Sequence, residues 1–254
     1  MDKQDKKIYD AIISLGGNCA AASQLRMRGL RPVSLPFDWL AMTDPLAIEF
    51  LANEFSAGLP GFFKKENLVP FDCPHQNGTA PFHYEDAKSR LCFIHHFHRS
   101  LSDGGYEEVR ATIDRRLDRM FRLIENGDRI LFVLATSFAF DPSLADRLVA
   151  SFRARWPEKT LDFRFMQFSV HSLGENVRAD ESVIDTGYGI FRYRRPVGPY
   201  DLNLTSHEWS FLDGVILSSG RKKFSYIDRK LYHVWKRISQ RMMNSGYGCA
   251  GIRF

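Results

Sequence analysis

Cys19 stands in the stretch ISLGGNCAAAS, between an apolar run and an alanine-rich segment. Gly16 and Gly17 permit a tight turn there and let a ligand come close to the main chain. The helix opened by the alanines presents unpaired N–H groups and a partial positive charge at its first turn. Both favour a thiolate, so Cys19 is expected to ionise below the ordinary thiol pKa of about 8.5. The same N–H groups, joined by the Asn18 side chain, are placed to hold an oxyanion. The turn is equally compatible with a small buried cysteine packing a helix start, its glycines serving turn geometry alone.

A thiolate needs a partner for proton transfer, and imidazole is the usual one. The run CFIHHFH supplies His95, His96 and His98 at or just beyond a strand end. Strand alternation puts His96 and His98 on one face and His95 on the other. His95 is the first candidate partner. His207, in DLNLTSHEWSF after Asp201, is the second, since α/β hydrolytic folds often bring a late histidine onto a nucleophile after the first strand. A surface histidine ahead of a helix start at Glu208 and Trp209 is the plain alternative.

Asp38, in SLPFDWL, lies between Phe37 and Trp39 in an apolar setting. A carboxylate there must be paired, so Asp38 either orients a histidine or ties Arg31. Cys73-x-His75 followed by Cys92-x-x-His95 supplies a tetrahedral set on paper. Its spacing matches no zinc module, and no metal is expected. Arg110, Arg115, Arg116 and Arg119 in RATIDRRLDR read as a salt-bridged helix face, with room for one arginine turned toward a phosphate.

These residues must be positioned by regular elements. Ile8 to Leu15 reads as a buried strand closed by glycine, and Cys19 to Arg28 as a helix. Pro45 to Phe55 reads as a second helix, capped by Asp44. Ala57 to Tyr84 has no clear period and reads as a long irregular excursion. Arg90 to Phe97 reads as a strand. Tyr106 to Glu125 is the clearest helix, with apolar residues at helical spacing and a stop at Gly127. Arg129 to Ala135 and Leu161 to Phe168 read as strands, separated by a helix from Pro142 to Arg155. One more strand falls within Ser182 to Tyr193, near Gly189, and a last helix spans about Ser225 to Met243. Alternation of strands and helices predicts a single three-layer α/β domain over residues 1–254. Its five strands form one mostly parallel sheet with Cys19 at the carboxyl edge.

Composition agrees with such a domain. The chain has 254 residues, 44% hydrophobic and 26% charged, long enough to bury a large core. No signal peptide is visible, and no apolar run reaches the length of a membrane helix. Four cysteines make no disulfide framework, so a soluble, cytoplasmic chain of unbridged thiols is expected. The formal net charge of +5 and a pI near 9.0 favour an anionic small molecule, glycan or peptide as substrate. Basic and acidic residues are interleaved along most of the chain, which argues against nucleic acid. The basic residues densest near the C-terminus, from Arg221 to Arg241, read as a solvated helix face.

The stretch ISLGGNCAAASQLRMRGLRPVSLPFDWL, then FIHHF, then IDRRLDRM followed by ILFVLA resembles a bacterial family described as papain-like cysteine peptidases. The spacing of the SLGxNC turn and PFDW carries the resemblance, which weakens beyond Phe140. It implies Cys19 as nucleophile and His95 as partner. The predicted architecture differs from papain, where a helical domain meets an antiparallel β domain and the nucleophile heads a long helix. A thiol after the first strand of a parallel sheet looks more like flavodoxin-type folds or SGNH hydrolases. It also looks like capsule-polysaccharide acetyltransferases with a GNC turn. The Asp-x-x-His pair of this chain, Asp72 and His75, lies mid-chain, unlike the C-terminal pair of SGNH enzymes.

Three functions therefore stand before the structure. The first is a cysteine enzyme of acyl transfer, needing no cofactor, with Cys19, Asn18, His95 or His207, and Asp38 in the site. The second is an acetyl- or glycosyltransferase of surface polysaccharide synthesis. There Gly16 and Gly17 would cradle a phosphate of coenzyme A or a nucleotide-sugar. The third is a glycan- or nucleotide-binding module with an inert cysteine.

Overall fold

The apolar run from Ile8 to Leu15 breaks at Asp10 and serves two sheets. Strand β1 covers Lys7–Tyr9 and β2 covers Ala11–Ser14. Between them the Asp10 carboxylate accepts hydrogen bonds from the main-chain N–H groups of Asp128 and Arg129, each at 3.0 Å. The computed structural model describes residues 7–72, 80–138, 141–170, 189–195 and 209–218, all within the unit Met1–Ser218. The expected helix at 225–243, His207 with Asp201, and Cys73 with His75 lie outside the described residues.

Helix α1 covers Cys19–Met27, β3 Ala41–Met42 and α2 Leu46–Glu54. Asp44 caps α2 as expected, its Oδ1 accepting from the Leu46 N–H at 2.8 Å. Strands β4 (Leu68–Pro70), β5 (Phe82–Asp86) and β6 (Leu91–Phe97) follow, then α3 (Gly105–Asn126) and β7 (Arg129–Thr136). Helix α4 (Pro142–Arg155), β8 (Thr160–Val170), β9 (Gly189–Arg195) and β10 (Val215–Leu217) complete the described chain.

A parallel sheet has the order β2-β7-β8-β9. Strand β7 is buried on both faces, as its unbroken apolar sequence requires. Ile130, Phe132 and Leu134 pack with α2, α3 and α4, whereas Leu131, Val133 and Ala135 pack with Ala20, Ala21 and Leu25 of α1. Strands β1 and β10 form a separate parallel pair.

The expected single sheet of five strands is corrected at Arg90–Phe97. Strand β6 belongs to a second, antiparallel sheet of order β3-β6-β5-β4. The reason is the connection: only residues 87–90 separate β5 from β6, a length that allows a hairpin and forbids a parallel crossover. The irregular excursion at 57–84 is corrected in part for the same sheet. It contains β4 and the start of β5, hidden in the sequence because β4 is short and ends in Pro70, an edge-strand feature. The protein is thus mixed α/β, with several sheets, some of them parallel. Among the described residues, no helix is long and apolar enough to cross a membrane.

Candidate active site

The turn after β2 is closed by backbone on every side. Gly16 and Gly17 have φ of +82° and +93°, a region that L side chains rarely adopt. A Cβ on Gly17 would lie 2.0 Å from the Ala135 carbonyl oxygen, and one on Gly16 would lie 2.8 Å from that of Phe37. The close approach predicted at these glycines is therefore made by the protein's own carbonyls. The Ala135 N–H donates to Gly16 O at 3.2 Å, and the Met42 N–H donates to Gly17 O at 3.1 Å. The turn is tied to the carboxyl end of β7 on one side and to β3 on the other.

Those ties position Asn18 and Cys19. Asn18 is the N-cap of α1, its Oδ1 accepting from the Ala20 N–H at 2.9 Å, and Cys19 is the first helical residue. The Cys19 sulfur therefore sits at the positive end of a helix whose first turn has N–H groups without intrahelical acceptors. Asn18 is 5% exposed, and its Nδ2 has no hydrogen-bond partner among the described residues. A buried amide N–H without an acceptor costs stability.

The imidazole comes from the other sheet. Gly17 bridges to Ala41, and Ala41 of β3 pairs with Cys92 of β6, which brings the far end of β6 over the turn. Phe82 pairs with Phe97 and Tyr84 with Phe93, so Ile94, His95 and His96 together oppose His83 alone. The irregularity falls at His95 itself, which meets Cys19 and Trp39, whereas His96 meets the Phe93 ring. The His95 Nε2 lies 3.3 Å from Cys19 Sγ, within hydrogen-bonding reach of sulfur. Burial lowers the pKa of His95, and the nearby His83 lowers it further. Neutral imidazole is thereby favoured, the form that can take a proton.

Asp38 takes the second of its two predicted roles. It is fully buried, forms an ion pair with Arg31 and accepts from the Leu35 N–H at 2.8 Å. Burial raises its pKa despite the guanidinium beside it. Among the described residues it bonds neither Cys19 nor any histidine: Oδ2 is taken by Arg31 and Leu35, and the buried Oδ1 has no partner. Its effect on the pair is indirect. The Arg31 guanidinium lies 5.5 Å from the centre of the Trp39 ring, and Trp39 meets His95 edge-on at 6.2 Å between ring centroids. The PFDW segment is a wall holding the imidazole in place.

His96 does not share the surroundings of His95. His96 has a buried Nδ1 without a partner among the described residues, and burial, followed by Arg116, His95 and His98, brings its pKa down to about 3. His83 and Trp39 escaped the sequence reading as site residues. Only the strand pairing puts His83 beside His95, and only the ring contact reveals Trp39. No group of three or more potential metal ligands occurs among the described residues.

The site joins three groups: a thiol at a helix N-terminus, an imidazole within bonding reach and a vacant amide donor. Residues 10–172 match the family described as "Putative papain-like cysteine peptidase (DUF1796)". The match covers more than half of the chain, and the chain belongs to that family. It takes in Asn18, Cys19, Asp38, Trp39, His83 and His95 and leaves out His207. The chain is also 28% identical over 135 residues to "Uncharacterized protein R408" of Acanthamoeba polyphaga mimivirus, a match spanning 48% of this chain and 59% of that protein. No solved structure matches the chain.

Proposed function

We propose that this member of the family is a cysteine hydrolase acting by acyl transfer to water, with Cys19 as nucleophile and His95 as general base and acid. The observation that carries the reading is the 3.3 Å approach of His95 Nε2 to Cys19 Sγ at the start of α1. As the sulfur attacks a carbonyl carbon, the thiol proton passes to His95 Nε2 and a C–S bond forms. Negative charge on the former carbonyl oxygen is met by Asn18 Nδ2 and N–H groups of the first turn of α1. Collapse of the adduct breaks the bond to the leaving group, which takes the proton from His95. Water, deprotonated by the same imidazole, then releases the acid and restores the thiol.

The substrate in this reading is a peptide or another acyl compound. Its acyl group enters beside Trp39, whose ring borders His95. The glycine turn gains no separate reason to hold a phosphate, since its room is filled by the carbonyls of Phe37 and Ala135.

The test is a pre-steady-state burst with p-nitrophenyl acetate, followed by peptide mass analysis. One acyl group per chain on Cys19, absent in Cys19→Ala and slowed in His95→Ala, is the expected result. Acylation spread evenly over the cysteines, or unchanged by His95→Ala, would overturn the assignment.

A further inference from the structure

An open surface cavity of about 460 Å³ lies along the second half of α3, beside the corner between β1 and β2, with Arg115, Asp118 and Arg122 exposed. Asp10, Arg115, Asp118, Arg119, Arg122 and Leu123 are among its lining residues. Three guanidiniums thus face two carboxylates, and the carboxylates are already engaged. Asp118 pairs with Arg122 one helical turn away, and Asp10 accepts from the Asp128 and Arg129 N–H groups. Arg115 and Arg119 have no carboxylate partner among the described residues. Arg115 donates only to Thr112 Oγ1, at 3.4 Å, and Arg119 donates to the Ser34 carbonyl oxygen at 2.8 Å.

The neighbourhood is short of negative charge. Arg116, next to Arg115 in sequence, is opposed by the like charges of Arg31, Arg119 and Arg115, with Asp38 as the compensating carboxylate. A guanidinium carries five N–H donors in a planar fork, so Arg119 keeps four after bonding Ser34, and that bond fixes the fork. A volume of this size admits a small organic ligand rather than a lone ion. Leu123 is the one aliphatic residue among the described lining residues, and the arginines supply the polar handles of the site.

We propose that this cavity is a binding site for a phosphate-bearing small molecule, with Arg115 and Arg119 holding the phosphate. It is separate from the Cys19–His95 pair and does not depend on the hydrolase reading. The α3 dipole is negative toward this end of the helix and opposes an anion. Binding therefore rests on the guanidiniums, and reversing one of them is decisive.

Inorganic pyrophosphate titrated calorimetrically into the full chain is the test. The wild-type protein is expected to bind one pyrophosphate per chain, more weakly as salt is raised. Arg115→Glu should weaken binding at least tenfold, whereas Cys19→Ser should retain it. Arg99→Glu makes the same charge change at an exposed residue before α3 and serves as control. No saturable binding by the wild type, or equal weakening by Arg115→Glu and Arg99→Glu, would overturn the proposal. Loss of acyl transfer in Cys19→Ser with pyrophosphate binding intact separates this site from the reading above.

Discussion

The two four-stranded sheets each supply one member of the Cys19–His95 pair, and they do so by different physics. The parallel sheet places Cys19 through consecutive local devices: the end of β2, two glycines with positive φ, an asparagine cap and the first turn of α1. The antiparallel sheet places His95 through an irregular strand pairing, in which three residues of β6 face one of β5. The local devices of the first placement lie within fewer than twenty consecutive residues, though Ala135 and Met42 pin the turn they make. The second depends on partners scattered from Gly17 to Phe97. The position of Cys19 can therefore be read from its local sequence, whereas that of His95 becomes visible only with the pairing.

The comparison breaks most severely at the turn. Gly17→Ala adds a Cβ 2.0 Å from the Ala135 carbonyl at a φ of +93°. It should destabilise the protein by about 3 kcal/mol or more and lower Tm on the order of 10 °C. Activity should fall with stability, both read on one preparation by calorimetry and ester hydrolysis. His95→Ala strikes the other sheet and should behave oppositely. Its kcat/KM should drop by about 10²–10⁴ with little change in Tm. If the two quantities move together in His95→Ala as well, the imidazole is structural and the contrast fails.

A third expectation concerns acid. The folded pKa of His96 is depressed to about 3 from the ordinary 6.5, so the unfolded chain binds the extra proton first. The stability this group permits is fully present above pH 6.5 and is lost as pH falls toward 3. The loss is on the order of a few kcal/mol. Urea midpoints measured from pH 7.5 down to 4.5 should decline in the wild type and decline less in His96→Gln. Equal slopes in both would remove His96 as the cause.

The smallest effect sharpens the account of His95. Its pKa is lowered by burial and then by His83, so alkylation of Cys19 by iodoacetamide should have its acid limb below pH 6.5. His83→Gln removes the like charge and should move that limb to higher pH. A limb that stays in place would mean burial alone sets the imidazole.

Most of what the sequence disclosed follows the same divide. Helix α3 was legible from its apolar spacing, β7 from its continuous apolar run, and the α1 start from GGNC. Strand β6 was legible as a strand but not in its sheet, because pairing direction is decided by the short hairpin before it. The Asp38–Arg31 tie was one of two readings, and burial of both side chains decides for it. His83 and Trp39 carry no local mark of their roles, since each acts only against His95. The family resemblance implied the Cys19–His95 pairing that the strand register then explains. It also implied an antiparallel β region, which the structure places beside a parallel sheet rather than in its stead.

The bridge from Gly17 to Ala41 and on to Cys92 has a consequence in time. The chain emerges from the ribosome with Cys19 first, His95 much later, and the β7 residues that close the turn later still. Until Ala135 docks on Gly16, the turn lacks its tie to β7 and is joined to the histidine strand only through β3. A half-made chain thus lacks the Cys19–His95 approach, which is complete only when both sheets have met.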